Sequence, residues 1–197
     1  SPGIVRPRPE GGYEIIAGHR RKRGSELAGK KTMPVLVREL DDDEATIIMV
    51  DSNLQREKIL PSEKAFAYKM KLEALKHQGK RSDLTLEPAV PKLPAREKIA
   101  QDAGESCGLT VTRYIALTKL IPPLLALVDV DKLSLSTAAD YISGLTEQEQ
   151  TLLASVMDKL DIIPTRSQLV KIKEQRKTEA LTITVIEAIL SEGRTAT

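Results

Sequence analysis

The chain has 197 residues, with 30 Lys and Arg against 28 Asp and Glu, so total charge excludes a protein that holds nucleic acid by net positive charge alone. Its 41% hydrophobic and 29% charged content is that of a globular protein with one large or two small domains. Aromatics at 3% with no Trp exclude a base-stacking platform, and one Cys with two His excludes an internal disulfide and a multi-cysteine zinc site.

Residues 4–7 (IVRP) and 13–18 (YEIIAG) predict short strands, with the turn EGG (10–12) between them. Residues 19–29 (HRRKRGSELAG) predict a helix closed by Gly29, and 33–40 (MPVLVREL) a third strand. Asp41 opens a helix whose first turn, Asp42, Asp43 and Glu44, is acidic, as the helix dipole favours. Pro61 fits the first position of another helix, with Ala65, Tyr68, Leu72 and Leu75 on one stripe. Gly79 and three prolines then break the pattern, and 78–94 is predicted as a linker. Helices follow near 95–103, 110–121, 123–129, 136–143, 147–160, 166–176 and 182–190. Thr146 with Glu149 and Thr165 with Gln168 have capping-box spacing. The pattern predicts an α+β chain: a small mixed α/β domain at 1–77, the linker, and an all-helical domain at 95–197. No apolar run reaches the length of a membrane span or a signal segment, so a cytoplasmic protein is expected. The opening SPGIVRP reads as a boundary inside a larger protein.

Strand, Gly18, then helix start is the layout of an anion site, because helix N-terminal N–H groups point outward and the dipole is positive there. Arg20, Arg21, Lys22 and Arg23 all stand in that first turn, where each cation costs about 0.3–1 kcal/mol. A bound polyanion such as a nucleoside triphosphate would offset this; a solvated basic face is the other reading. Neither a P-loop nor a G-x-G-x-x-G fingerprint is present in the stretch.

Residues 96–117 predict a helix-turn-helix. Ile99, Ala100 and Ala103 give the first helix an apolar face, Gly104 supplies the left-handed turn residue, and Val111, Tyr114, Ile115 and Leu117 line the second helix. Ser106, Thr110, Thr112 and Arg113 are the expected DNA-facing residues, with Lys76, Lys80, Arg81, Arg96 and Lys119 near phosphates. The span from Gly104 to Val111 is one residue longer than the common pattern. Either the turn is looser, or Thr110 takes the buried place and Val111 turns outward. A plain helical hairpin is the competing reading. Cys107 reads as a small turn residue, since no histidine or base is near it in sequence.

Two segments resemble the ParB family of partition proteins. GYEIIAGHRRKRG (12–24) is similar to the family's G-E-R-R-x-R-A box, and DSNLQREKILPSEKAFAY (51–68) to its E-N-x-Q-R-E-x-L-x-P-x-E-x-A segment. They stand in the family's order and spacing, ahead of the helix-turn-helix. The resemblance covers roughly residues 4–145 and implies a ParB/sulfiredoxin-like N-terminal domain. The family's earlier box and its C-terminal dimerisation domain are expected to lie outside this chain. In the family the N-terminal domain binds CTP with Mg²⁺. The resemblance carries over Gly18, His19, Arg20 and Arg21 from the first box and Asn53 and Arg56 from the second, with Asn53 helping to hold the metal.

Two positions depart from the family. His19 stands in place of the first box's glutamate, and Ser52 in place of the glutamate before Asn53; Asp51, one position earlier and out of register, is the candidate substitute for that second glutamate. Acidic groups there would hold Mg²⁺ or organise attacking water, so their loss speaks against hydrolysis more than against binding. Aligned on the His19–Arg20 pair, Gly18 occupies the place of sulfiredoxin's catalytic cysteine, so redox repair is not expected.

The resemblance implies a DNA-binding protein that recognises a centromere-like palindrome in plasmid or chromosome partition, as a CTP-regulated clamp. The implied partners are double-stranded DNA, CTP, a second copy in a homodimer of the full-length protein and a ParA-type ATPase, on the nucleoid or a plasmid and without a membrane. A nucleoid-occlusion or transcriptional regulator of the same class is the alternative. An enzyme whose main task is nucleotide hydrolysis is a further one.

Overall fold

In the computed structural model residues 2–82 and 93–192 are described. They fall into two compact units: Ser1–Ile59 with Ala67–Gly108, and Leu60–Phe66 with Leu109–Thr197.

The first unit holds a three-stranded sheet of order β2-β1-β3, from β1 (Gly3–Pro7), β2 (Tyr13–Ala17) and β3 (Val35–Val37). β1 runs antiparallel to β2, pairing Val5 with Ile15 and Arg6 with Glu14, and parallel to β3. On one face of that register Arg6 donates to Glu14 at 2.7 Å and to Asp42 at 2.7 Å, joining the sheet to the start of a helix. Helix α1 (His19–Leu27) follows β2, and α2 (Asp42–Leu54) follows β3. Asp41 caps α2 as the acidic run predicts: its carboxylate accepts the Glu44 N–H at 2.8 Å, and Glu44 accepts the Asp41 N–H at 3.0 Å.

Helix α3 (Pro61–Ser82) contributes its first turns to the second unit and the rest to the first. Of its predicted stripe, Ala65, Tyr68 and Leu72 are buried. It continues five residues into the stretch predicted as a linker; Gly79 costs a helix only about 1 kcal/mol, and the first proline comes at Pro88. The remainder of that linker, 83–92, lies outside the described residues. Helix α4 (Ala95–Ala103) belongs with the first unit, not with the helical domain predicted to start at 95. Side-chain chemistry explains the assignment. The Lys71 ammonium donates to Asp51 of α2 at 2.6 Å and to Asp102 of α4 at 2.9 Å, and Tyr68 donates to Glu105 at 2.7 Å.

The second unit is helical: α5 (Gly108–Leu117), of which Gly108 belongs to the first unit, then α6 (Pro122–Asp129), α7 (Leu135–Thr137) running on into a π-helical turn at Ala138–Ile142, α8 (Glu147–Leu160), α9 (Arg166–Thr178) and α10 (Ile183–Ser191). Leu117, Leu124, Val128, Ile142, Leu153, Leu169, Ile172 and Ile186 form its core, joined by Ala65. Both predicted capping boxes are present, at Thr146/Glu149 and Thr165/Gln168. Gln150 is buried with its polar atoms satisfied: it accepts the Ile121 N–H at 2.9 Å and donates to Lys119 and Leu145 carbonyls at 3.0 and 3.1 Å. Asp129 at the end of α6 takes the Ser62 N–H at 2.8 Å and its hydroxyl at 2.6 Å, which fastens the start of α3 to this unit. No helix among the described residues is long and apolar enough to cross a membrane.

Candidate functional site

The basic box sits where β2 ends. Gly18 precedes α1 in a left-handed conformation, φ 106°, and a Cβ there would lie 3.0 Å from the Gly3 Cα. Both facts demand glycine: the dihedral strains any side chain, and β1 leaves no room for one. The tight passage lets α1 begin one residue after the strand, with its free N–H groups at the end of the sheet. No acidic side chain occupies the first turn of α1, and none of its residues is buried.

The cations of α1 divide by partner. Lys22 and Arg23 reach Glu26 at 3.7 and 3.6 Å, a surface pairing of small energy. Arg21 donates to the Pro2 carbonyl at 2.6 Å, which tethers its guanidinium without neutralising it. Arg20 makes no hydrogen bond or ion pair among the described residues.

These groups face the end of α2 across an open cleft of about 900 Å³. Gly18, His19, Arg20 and Arg21 form one wall, and Asn53 and Arg56 the other, so all six residues expected from the two motifs line one cavity. The backbone turns there because α2 stops at Leu54; the Asn53 carbonyl accepts the Arg56 N–H at 3.3 Å. Arg20, Arg21, Arg56 and Lys58 put four exposed cations around the cleft against one carboxylate, Glu57. In size and charge the arrangement suits a phosphorylated ligand of nucleotide dimensions.

Sequence reasoning missed Met49, Glu57 and Lys58 as lining residues. Met49 was signalled by its place four residues before Asn53 on α2, one helical turn back. Asp51, weighed as a replacement for the missing glutamate, is not on the lining: its carboxylate is bonded to Lys71. Among the described residues no group of three or more His, Cys, Asp and Glu side chains is arranged to hold a metal ion. The cleft's own side-chain oxygen donors are Ser52, Asn53, Gln55 and Glu57. That set fits a Mg²⁺ carried in by phosphate oxygens rather than one held by the protein alone.

The helix-turn-helix elements are at hand, with boundaries that settle the open register. α4 ends at Gly104 in the left-handed region, φ 69°, and Glu105 N–H closes on the Ala100 carbonyl at 2.9 Å. α5 starts at Gly108, two residues before the predicted start, where its N–H donates to Glu97 at 2.9 Å. Val111 is fully buried and Thr110 half-buried, so the turn is the looser one and Val111 does not turn outward. Ser106 is exposed in the turn and belongs to the first unit. Thr110, Thr112 and Arg113 lie on α5 in the second unit, half-buried. α5 ends at Leu117, four residues short of prediction, so Lys119 stands beyond it, exposed. Arg113 is oriented by a residue that sequence reasoning did not name: its Nε and Nη2 donate to the two carboxylate oxygens of Asp140 at 3.1 and 2.8 Å.

The ParB N-terminal domain family matches residues 1–54. A probable chromosome 1-partitioning protein ParB of Deinococcus radiodurans is 39% identical over 137 residues, 70% of this chain and 41% of that protein. A nucleoid occlusion protein of Bacillus velezensis is 30% identical over 183 residues, 89% of this chain and 58% of that protein. Among solved structures, the C-terminally truncated chromosome-partitioning protein ParB of Caulobacter crescentus, complexed to the centromeric parS site, is similar with a TM-score of 0.53 and 26% identity, over 98% of this chain and 83% of the other. The chain spans about half the length of the curated relatives it matches.

Proposed function

This chain belongs to the ParB family, and from that premise we propose that it binds a centromere-like palindromic DNA site in plasmid or chromosome partition, with CTP as the ligand of the cleft. The observation that carries the proposal is the convergence of Gly18, His19, Arg20, Arg21, Asn53 and Arg56 on one cavity. The α1 N–H groups with Arg20 and Arg21 would take the phosphates from one wall, and Arg56 from the other. Asn53 and Glu57 would complete the shell of a Mg²⁺ that arrives with the nucleotide. Double-stranded DNA would be read by the turn and α5, through Ser106, Thr110, Thr112 and Arg113, with Lys119 on a phosphate.

Binding, rather than rapid hydrolysis, is the proposed use of the nucleotide. Ser52 offers no carboxylate, and Asp51 is committed to Lys71. A homodimer of the full-length protein that closes on DNA when CTP binds, and a ParA-type ATPase partner, belong to the same proposal. Such coupling is reciprocal, so DNA must raise CTP affinity by the factor by which CTP raises affinity for closed DNA complexes.

Calorimetric titration with CTP, and with ATP and GTP as controls, in Mg²⁺ tests the cleft. Selective CTP binding is the expected outcome. Binding of none of the three would leave DNA recognition as the proposed function and make the cleft's cations a surface for some other anion. The similarity to a nucleoid occlusion protein favours a second reading, DNA binding without a segregation ATPase. A pull-down with the ParA-type ATPase encoded nearest on the same replicon separates the two.

A further inference from the structure

We infer that the π-helical turn Ala138–Ile142 and the adjoining face of α9 form a second surface for DNA phosphates, apart from the reading residues of α5. The inference rests on the DNA-binding function proposed above.

Three cations from two helices meet on this turn. Arg113 of α5 is held by the Asp140 carboxylate. Lys173 of α9 donates to the Asp140 carbonyl at 3.2 Å, and its ammonium stands 5.6 Å above the Tyr141 ring. Arg166, the first residue of α9, donates to the Tyr141 hydroxyl at 2.8 Å, with its guanidinium 5.7 Å over the same ring.

The kind of partner matters. Three other exposed cations of this unit meet carboxylates: Lys159 with Glu187, Lys171 with Glu192, Arg176 with Glu149. Those charges are cancelled, as on an ordinary solvated face. Arg166 and Lys173 instead meet a phenol, an aromatic ring and a carbonyl. Such partners fix where a cation sits and leave its charge uncompensated. Two like charges drawn onto one ring repel each other, and α9 carries no acidic residue in its first turn to relieve Arg166. An anion of regularly spaced charges relieves both, and duplex DNA supplies one phosphate per 3.4 Å along each strand. The location agrees with this. Asp140 and Tyr141 are neighbours in one turn, so the patch is contiguous with Arg113 on α5, and a duplex seated on α5 brings its flanking backbone here.

The test is the salt dependence of DNA binding by the whole chain, read by fluorescence anisotropy. Two labelled duplexes serve as probes, one carrying the centromeric parS site and one of mixed sequence. In the double variant Arg166→Gln/Lys173→Gln the slope of log K against log salt should fall by about 0.9 per cation removed, roughly 2 in all, and equally on both duplexes. Lys159→Gln, a cation already matched by Glu187, should leave the slope unchanged. A double variant with the wild-type slope overturns the inference while DNA binding stands. A loss confined to the parS duplex overturns it too, because the two side chains would then read bases. Wild-type protein that binds neither duplex removes both this inference and the DNA-binding function it rests on.

Discussion

In the first unit the ammonium of Lys71 lies almost wholly out of water, between Asp51 and Asp102, while the second unit is centred on Leu124, Ile142, Leu153, Ile172 and Ile186 with a single buried amide, Gln150. The surfaces differ in a parallel way. Around the cleft, Arg20 has no partner among the described residues, whereas in the second unit Arg166 and Lys173 are steered by the Tyr141 hydroxyl and ring and the Asp140 carbonyl. The contrast separates two ways of presenting charge to an anion. Under the proposed function the cleft would leave long side chains to be ordered by its nucleotide, which draws on binding energy but lets the site respond to occupancy. The second unit holds its cations beforehand, which suits a partner whose shape and charge spacing never change.

The largest expected effect tests the charged centre. Lys71→Ala leaves two carboxylates facing each other with no counter-charge, and a destabilisation of about 3 kcal/mol is expected, the low end for a broken buried pair, because both carboxylates are 41% exposed. Chemical denaturation of Lys71→Ala beside Lys71→Met reads it. Equal costs would assign the loss to the missing charge; if Lys71→Met keeps wild-type stability, the loss in Lys71→Ala is one of packing, and the contrast between the units is broken.

The cleft comes next. Arg20→Ala should weaken CTP binding by about 1.5–3 kcal/mol, roughly ten- to a hundredfold, the worth of a charge-assisted contact. Without nucleotide its stability should stay within about 0.5 kcal/mol of wild type, as for an exposed residue with nothing to lose. A drop in Tm of the ligand-free protein would mean that Arg20 supports the fold.

The smallest effect lies in the second unit. Desolvation pushes the Glu149 carboxyl up, but the Thr146 N–H, the Arg176 guanidinium and the Thr146 hydroxyl together hold it below the usual carboxylate range. A carboxyl whose folded pKa is depressed adds stability above its unfolded pKa and loses it as pH falls through the folded one. Glu149→Gln should therefore lower stability near neutrality, by no more than about 1 kcal/mol for a largely surface pair, and should converge on wild type as pH falls through the folded carboxyl's depressed pKa. A difference that persists in acid would point to packing instead.

Much of this was legible in local sequence. The capping boxes at Thr146 and Thr165, the helix start at Asp41, the left-handed Gly104 and the strand–glycine–helix passage at Gly18 all act within four residues, so their partners can be read off spacing. The two motifs identified six lining residues of the cleft, since each is a short segment with its own backbone geometry. Errors came where a partner was remote. α4 was grouped with the helical domain because its ties to α2 and α3, through Asp102 and Lys71, join residues 31 and 51 positions apart, and no periodicity records them. Asp51 looked available for metal until Lys71, 20 residues on, was seen to hold it.

The sequence alone determined the elements, the basic helix start and the motifs that mark the family, because propensity, capping and dipole effects are local. Tertiary structure decided which cations stay unpaired. Asp140 stands 27 residues from Arg113, and Tyr141 25 from Arg166 and 32 from Lys173. Whether a charge is cancelled, merely aimed or left to a ligand depends on what the folded chain brings within a few ångströms of it, where Coulomb and hydrogen-bond energies become large.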